Sequence, residues 1–122
     1  ALVSGALLLV PVLKGAASGG LSAAQAVQLI NREKAVVIDV CSSDEYAAGH
    51  VVGAKNVPLA DLETRLPGVV KNKALPLVIV CASGMRAQRA AATAKKLGYA
   101  NAQALAGGLK AWEAAGMPIE KA

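Results

Sequence analysis

The stretch best suited to covalent chemistry is Cys81-Ala82-Ser83-Gly84-Met85-Arg86. An ionised thiol is a strong nucleophile, and its reactivity is set by what surrounds it. Just before it, Leu77 to Val80 form a short apolar run after Pro76, the pattern of a parallel strand covered on both faces. Beyond Arg86 the period changes. Ala87, Ala90, Ala91, Ala94 and Leu97 line one small apolar face of a helix, and Gly98 is placed to end it. Cys81 therefore falls on a strand-loop-helix joint. At such a joint unpaired backbone N–H groups converge and the helix dipole adds partial positive charge. Gly84 lets the backbone bend around the sulfur, and Arg86 adds a permanent positive charge. These residue types predict a loop that holds an anion on or beside a thiolate. The alternative from the same residues is a buried structural cysteine at a strand end.

The elements that must position this loop can be read along the chain. Leu21 begins a short first strand. Ser22 and Gln25 have capping-box spacing ahead of a helix whose buried stripe is Ala23, Ala26, Val27 and Ile30. Ala35 to Val40 reads as a second buried strand, followed by Cys41 and a short helix. Ser42 with Glu45 caps that helix, and Gly49 stops it. A turn and a third strand then run from His50 to Pro58. His50 beside Gly49 reads as a residue tying down backbone rather than a general base. Leu59, Leu62, Leu66, Val69 and Val70 recur at helical spacing, with Pro67-Gly68 expected to break the helix early. Ala102 to Leu105 is a last strand. Gly107-Gly108 opens a final helix in which Trp112 belongs to the core.

Composition narrows the function classes. The 122 residues are 55% hydrophobic, and alternating strand and helix signals argue for one α/β domain. The net charge of +5 is spread along the chain. With two Tyr, one Trp and no Phe there is no surface for stacking bases, so small anions are the expected partners and nucleic acid is not. Two cysteines without paired spacing and a single histidine give no zinc pattern and no disulfide framework, and no metal or cofactor is expected. A reducing compartment fits, which places the domain in the cytoplasm. Residues 1–20 form an apolar segment and a Gly/Ser-rich linker ahead of a domain spanning 21–122. The apolar residues 1–13 are too few to span a bilayer, yet they read as the remnant of an anchor to the inner membrane.

Taken together, these stretches resemble the rhodanese (sulfurtransferase) domain family from Leu21 to the C-terminus. The matching residues are Asp39-Val40 with Glu45-Tyr46, then Gly49-His50, Gly53-Ala54 and Asn56-Val57-Pro58. The Cys81-x-Ser83-Gly84-x-Arg86 loop follows, and last come Gly107-Gly108, Ala111-Trp112 and Gly116-x-Pro118. The resemblance implies an open parallel sheet of about five strands flanked by helices on both faces, with the site at the carboxyl ends of the strands. It also implies chemistry. Cys81 would take a sulfane sulfur from thiosulfate or a persulfide and pass it to cyanide or a thiol, a protein thiol included. The backbone of Ala82, Ser83, Gly84, Met85 and Arg86 would cradle the anion, and the Arg86 side chain would attract the donor.

Many members carry arginine directly after the Asp-Val pair and another directly after the nucleophile. Here those positions are Cys41 and Ala82. Two anion contacts are thus missing, which turns expectation from thiosulfate toward persulfide donors. Cys41 follows its strand as Cys81 follows its own, so it is a candidate second thiol that resolves the persulfide, or else a small filler where arginine is common. A cysteine phosphatase is the rival enzyme class. Its loop has five residues between cysteine and arginine, whereas four separate Cys81 from Arg86. A non-catalytic rhodanese-like module is the rival outside enzymes, and the presence of Cys81 argues against it.

Overall fold

The structure, a computed structural model, describes residues 20–121. Residues 1–13 and their expected membrane association lie outside the described residues. No helix among the described residues is long and apolar enough to cross a membrane.

Among the described residues, five α-helices and six strands are interspersed. Helix α1 (Ala23–Glu33) starts at the capping box expected of it. Ser22 Oγ accepts from the Gln25 N–H at 3.1 Å, and Gln25 Oε1 accepts from the Ser22 N–H at 2.9 Å. Strand β1 (Val36–Asp39) is followed by α2 (Ser43–Ala48), β2 (His50–Val51) and β3 (Lys55–Asn56). A 3₁₀ turn (Leu59–Asp61) leads into α3 (Leu62–Val69). Next come β4 (Leu77–Val80), α4 (Met85–Lys96), β5 (Ala102–Ala104), α5 (Gly108–Ala114) and β6 (Ile119–Glu120).

The main sheet has the order β3-β1-β4-β5, all parallel. The expected fifth strand is reduced to a single parallel bridge between Leu21 and Leu105, closed by Leu21 N–H to Ala104 O and Ala106 N–H to Leu21 O, both 2.7 Å. Side-chain alternation then sorts the core into two halves. Ile38, Leu77 and Ile79 pack with Leu62, Leu66 and the Ala87, Ala90, Ala91, Ala94 stripe of α4 on one face. Val37, Val78 and Val80 pack with Ala23, Ala26 and Trp112 on the other. Helices therefore cover both faces, and the strands of the pair β1–β4 are apolar almost throughout, as a doubly covered sheet demands. Continuing the alternation one step past Ile79 and Val80 puts Cys81 on the α3/α4 side.

Two features depart from the sequence expectation. Pro67 sits inside α3, and the helix continues to Val69, with the Val70 N–H on Leu66 O at 2.9 Å. A proline this near the C-terminal end forfeits one intrahelical bond, and buried Leu62 and Leu66 hold the turn in place. The Tyr99 hydroxyl, buried against α3, also donates to Val70 O at 2.5 Å. The second departure is β6, which pairs antiparallel with β2 (His50 opposite Glu120, Val51 opposite Ile119) and closes the C-terminus onto the domain.

Candidate active site

The carboxyl ends of β1 and β4 lie side by side, since Asp39 pairs with Val80 and the Val40 N–H donates to Val80 O at 2.9 Å. The segments leaving these two ends build the site. Cys81, 1% exposed, leaves β4 and turns through Ala82, Ser83 and Gly84 into α4. Gly84 takes φ +105°, a left-handed conformation that favours glycine, and its N–H donates to Cys81 Sγ at 2.8 Å. From below, the start of α5 supports the loop. The Leu109 N–H donates to Cys81 O at 2.8 Å, and Gly108 lies directly against the backbone of Cys81 and Ala82. The loop residues assigned from sequence, Ala82 to Arg86, follow Cys81 directly into α4, with Met85 at the surface, 74% exposed.

The other wall comes from the residues after β1. Cys41 is 5% exposed, and its carbonyl accepts from Asn56 Nδ2 at 3.0 Å, which ties this segment to β3. Its N–H donates to Asp39 Oδ1 at 2.9 Å. Asp39 is 2% exposed, and burial holds its carboxyl above the usual carboxylate range despite that N–H. Burial first, and then the Asp39 charge and hydrogen bond, push the Cys41 thiol up to about 12.

Ser42 and Glu45 form the expected capping box of α2, with the Glu45 N–H on Ser42 Oγ at 3.3 Å and the Ser42 N–H on Glu45 Oε1 at 3.1 Å. Glu45 also does something that local spacing does not show. Its carboxylate receives both arms of the Arg86 guanidinium, Nη1 to Oε1 at 2.8 Å and Nη2 to Oε2 at 3.0 Å. These bonds, with the Ser42 N–H, lower the Glu45 carboxyl to about 2, and the pair raises Arg86 further above its already high value. Arg86, expected from sequence to face a donor, is thus held by a partner from α2.

His50 is not in this group. Its Nδ1 lies 2.7 Å from Tyr46 O, its ring stacks on Tyr46 at 3.7 Å, and its Nε2 stands 3.4 Å from Glu120. It fastens the end of α2 to β6, a framework role. Among the described residues no group of three or more His, Cys, Asp or Glu side chains is placed to hold a metal.

The family model for the rhodanese-like domain matches residues 22–115, across the whole sheet and the Cys81 loop. The chain belongs to the rhodanese-like domain family. It is 33% identical over 95 residues to the thiosulfate sulfurtransferase GlpE of Pseudoalteromonas translucida, covering 78% of this chain and 89% of that one. It is 32% identical over 96 residues to the uncharacterized protein YibN of Escherichia coli, covering 78% of this chain and 67% of that protein. Among solved structures, a thiosulfate sulfurtransferase from Pseudomonas aeruginosa superposes with a TM-score of 0.75 at 27% identity over 83% of this chain. The match spans only 20% of that longer protein. The Cys81 loop lies at the carboxyl end of parallel strand β4, the end at which open parallel sheets bind ligands.

Asp39 yields a prediction about the rhodanese-like framework. A carboxyl whose folded-state pKa is raised adds stability that is fully present below its unfolded value, about 3.9, and lost as pH rises through the folded value. Asp39→Asn, which keeps an acceptor oxygen for the Cys41 N–H, should therefore be more stable than wild type at pH 7, with the gap closing as pH falls below about 4. The same change should bring the Cys41 thiol down from about 12. Urea unfolding at the two pH values and ultraviolet titration of the thiolate check both statements. A variant less stable than wild type at pH 7 would show that the carboxylate is needed for more than its acceptor oxygen.

Proposed function

We propose that the chain is a sulfurtransferase working through a Cys81 persulfide. The observation that carries this reading is the Gly84 N–H aimed at Cys81 Sγ at 2.8 Å, a donor already in place at the atom that would bear the anionic persulfide. The Cys81 thiolate attacks the outer sulfur of thiosulfate. An S–S bond forms on Cys81, the S–S bond of the donor breaks, and sulfite leaves with the electron pair. Cyanide then attacks the outer sulfur of the persulfide, thiocyanate departs, and the Cys81 thiolate returns. A thiol persulfide in place of thiosulfate gives the same intermediate with a thiolate as leaving group. The Gly84 N–H, fixed at the sulfur, would stabilise the anionic persulfide without reorganisation. With four residues between Cys81 and Arg86 the loop is short for a tetrahedral phosphate, which disfavours phosphatase chemistry.

Cys41 enters this reading as a packed residue, not a resolving thiol. A thiol pushed up to about 12 is almost wholly protonated at neutral pH, and the thiolate is the form that attacks a disulfide or persulfide. The site test is kinetic. Thiosulfate and cyanide varied together should give parallel double-reciprocal lines, the mark of a covalent intermediate released between two half-reactions. Converging lines would contradict the persulfide route.

A further inference from the structure

We infer that Glu45 sets which sulfur donors the site accepts, by holding the Arg86 guanidinium in an internal pair. This inference rests on the sulfurtransferase reading and concerns the charge of the donor. Arg86 is the second residue of α4 and ends the loop that begins at Cys81. It is therefore a cation carried on the same loop as the sulfur. Both of its terminal nitrogens are spent on Glu45, at 2.8 and 3.0 Å. Glu45 in turn is fixed at the start of α2, where its Oε1 accepts from the Ser42 N–H at 3.1 Å and from Ser42 Oγ at 3.2 Å. The pair is part-exposed, 39% for the Arg86 side chain and 43% for Glu45, so it stands at the rim of the site and presents no net charge there.

An incoming dianion meets a neutralised rim. To use the guanidinium it must displace a bidentate carboxylate, whose charge then stays beside it. A donor with less charge loses less by this arrangement. The residues that directly follow Val40 and Cys81 are Cys41 and Ala82, and neither supplies a positive charge in place of the engaged guanidinium. The arrangement selects against thiosulfate and in favour of donors of lower charge.

The test compares thiosulfate, a dianion, with methanethiosulfonate, a monoanion that delivers the same sulfane sulfur and releases methanesulfinate. Single-turnover formation of the Cys81 persulfide is measured for each. Glu45→Gln keeps an acceptor for the Ser42 cap and removes the charge. It should raise the second-order rate with thiosulfate about tenfold and with methanethiosulfonate about threefold, because the interaction with a freed guanidinium scales with donor charge. The thiosulfate gain should shrink at high salt and vanish in the Glu45→Gln/Arg86→Gln double variant. Arg86→Lys, which keeps the charge but cannot grip the carboxylate with two arms, should move the donor ratio the same way by a smaller factor and serves if Glu45→Gln folds poorly. An unchanged or lowered thiosulfate-to-methanethiosulfonate ratio in these variants, with wild type active, overturns this inference alone. Wild-type protein that forms no persulfide with either donor overturns the sulfurtransferase reading and this inference with it.

Discussion

Cys81→Ala is expected to abolish the proposed sulfur transfer, with a fall of at least about a thousandfold in rate, because Cys81 is the sulfur proposed to carry the covalent intermediate. The variant will also be less stable. Gly84 is buried, and its N–H donates to Cys81 Sγ, so alanine leaves that donor without an acceptor as well as a small void. An orphaned buried donor costs about 1–3 kcal/mol. Cys81→Ser, whose hydroxyl can still accept, should be equally inactive but closer to wild type in stability. Comparing the two by urea unfolding separates the chemical role of the sulfur from its part in shaping the loop. If alanine proves as stable as serine, the Gly84 hydrogen bond is not holding the loop. If either variant transfers sulfur at the wild-type rate, the role given to Cys81 is wrong.

The second large effect is expected at Gly108, far from Cys81 in sequence. Gly108 adopts φ +61°, and a Cβ there would stand 2.8 Å from the Ala82 carbonyl carbon and oxygen, and closer still to Cys81 O. These are backbone atoms at the root of the Cys81 loop, so no side chain can swing aside to relieve the clash. Gly108→Ala must push the loop from its place, at a cost of about 2–5 kcal/mol in strain and overpacking. A displacement of about 1 Å at the sulfur is enough for a loss of about a hundredfold in rate. The useful control is Gly68→Ala, in α3, where a Cβ meets nothing within 4 Å and the backbone is helical. That change should be neutral or slightly stabilising and leave sulfur transfer alone. Gly108→Ala with wild-type stability and rate would mean that the α5 start is not the support of the Cys81 loop.

What could be read from the sequence divides by the range of the interactions. The strand-loop-helix joint at Cys81 and the capping boxes at Ser22–Gln25 and Ser42–Glu45 are all written within a few residues, and the structure has them. The two-sided sheet was legible because Val36 to Asp39 and Leu77 to Val80 are apolar runs with only Asp39 to interrupt them. The pairing of β6 with β2 was not, since Ile119–Glu120 is only two residues long and its partner lies 70 positions away in the register His50 to Glu120. The survival of α3 past Pro67 depends on the burial of Leu62 and Leu66, a tertiary effect that overrides local propensity.

At the site the same rule held. Cys81 and the loop Ala82 to Arg86 proposed to cradle it could be picked out in advance, because they are neighbours in the chain. Glu45 was visible as a cap, but its grip on Arg86 spans 41 residues and depends on the β1–β4 pairing that sets their loops side by side. Cys41 looked equivalent to Cys81 by its place after a strand. What separates them is the buried Asp39 carboxyl, two residues back and folded against Cys41, against the Gly84 N–H at Cys81.

The central claim is that a sulfur atom rides on Cys81, and intact mass spectrometry after incubation with thiosulfate and removal of excess donor tests it most directly. The account predicts a gain of one sulfur atom per chain, mapped to the Cys81 peptide, absent from Cys81→Ala and removed by cyanide. No gain with any sulfane donor, or a gain that maps to Cys41 and persists in Cys81→Ala, would contradict it.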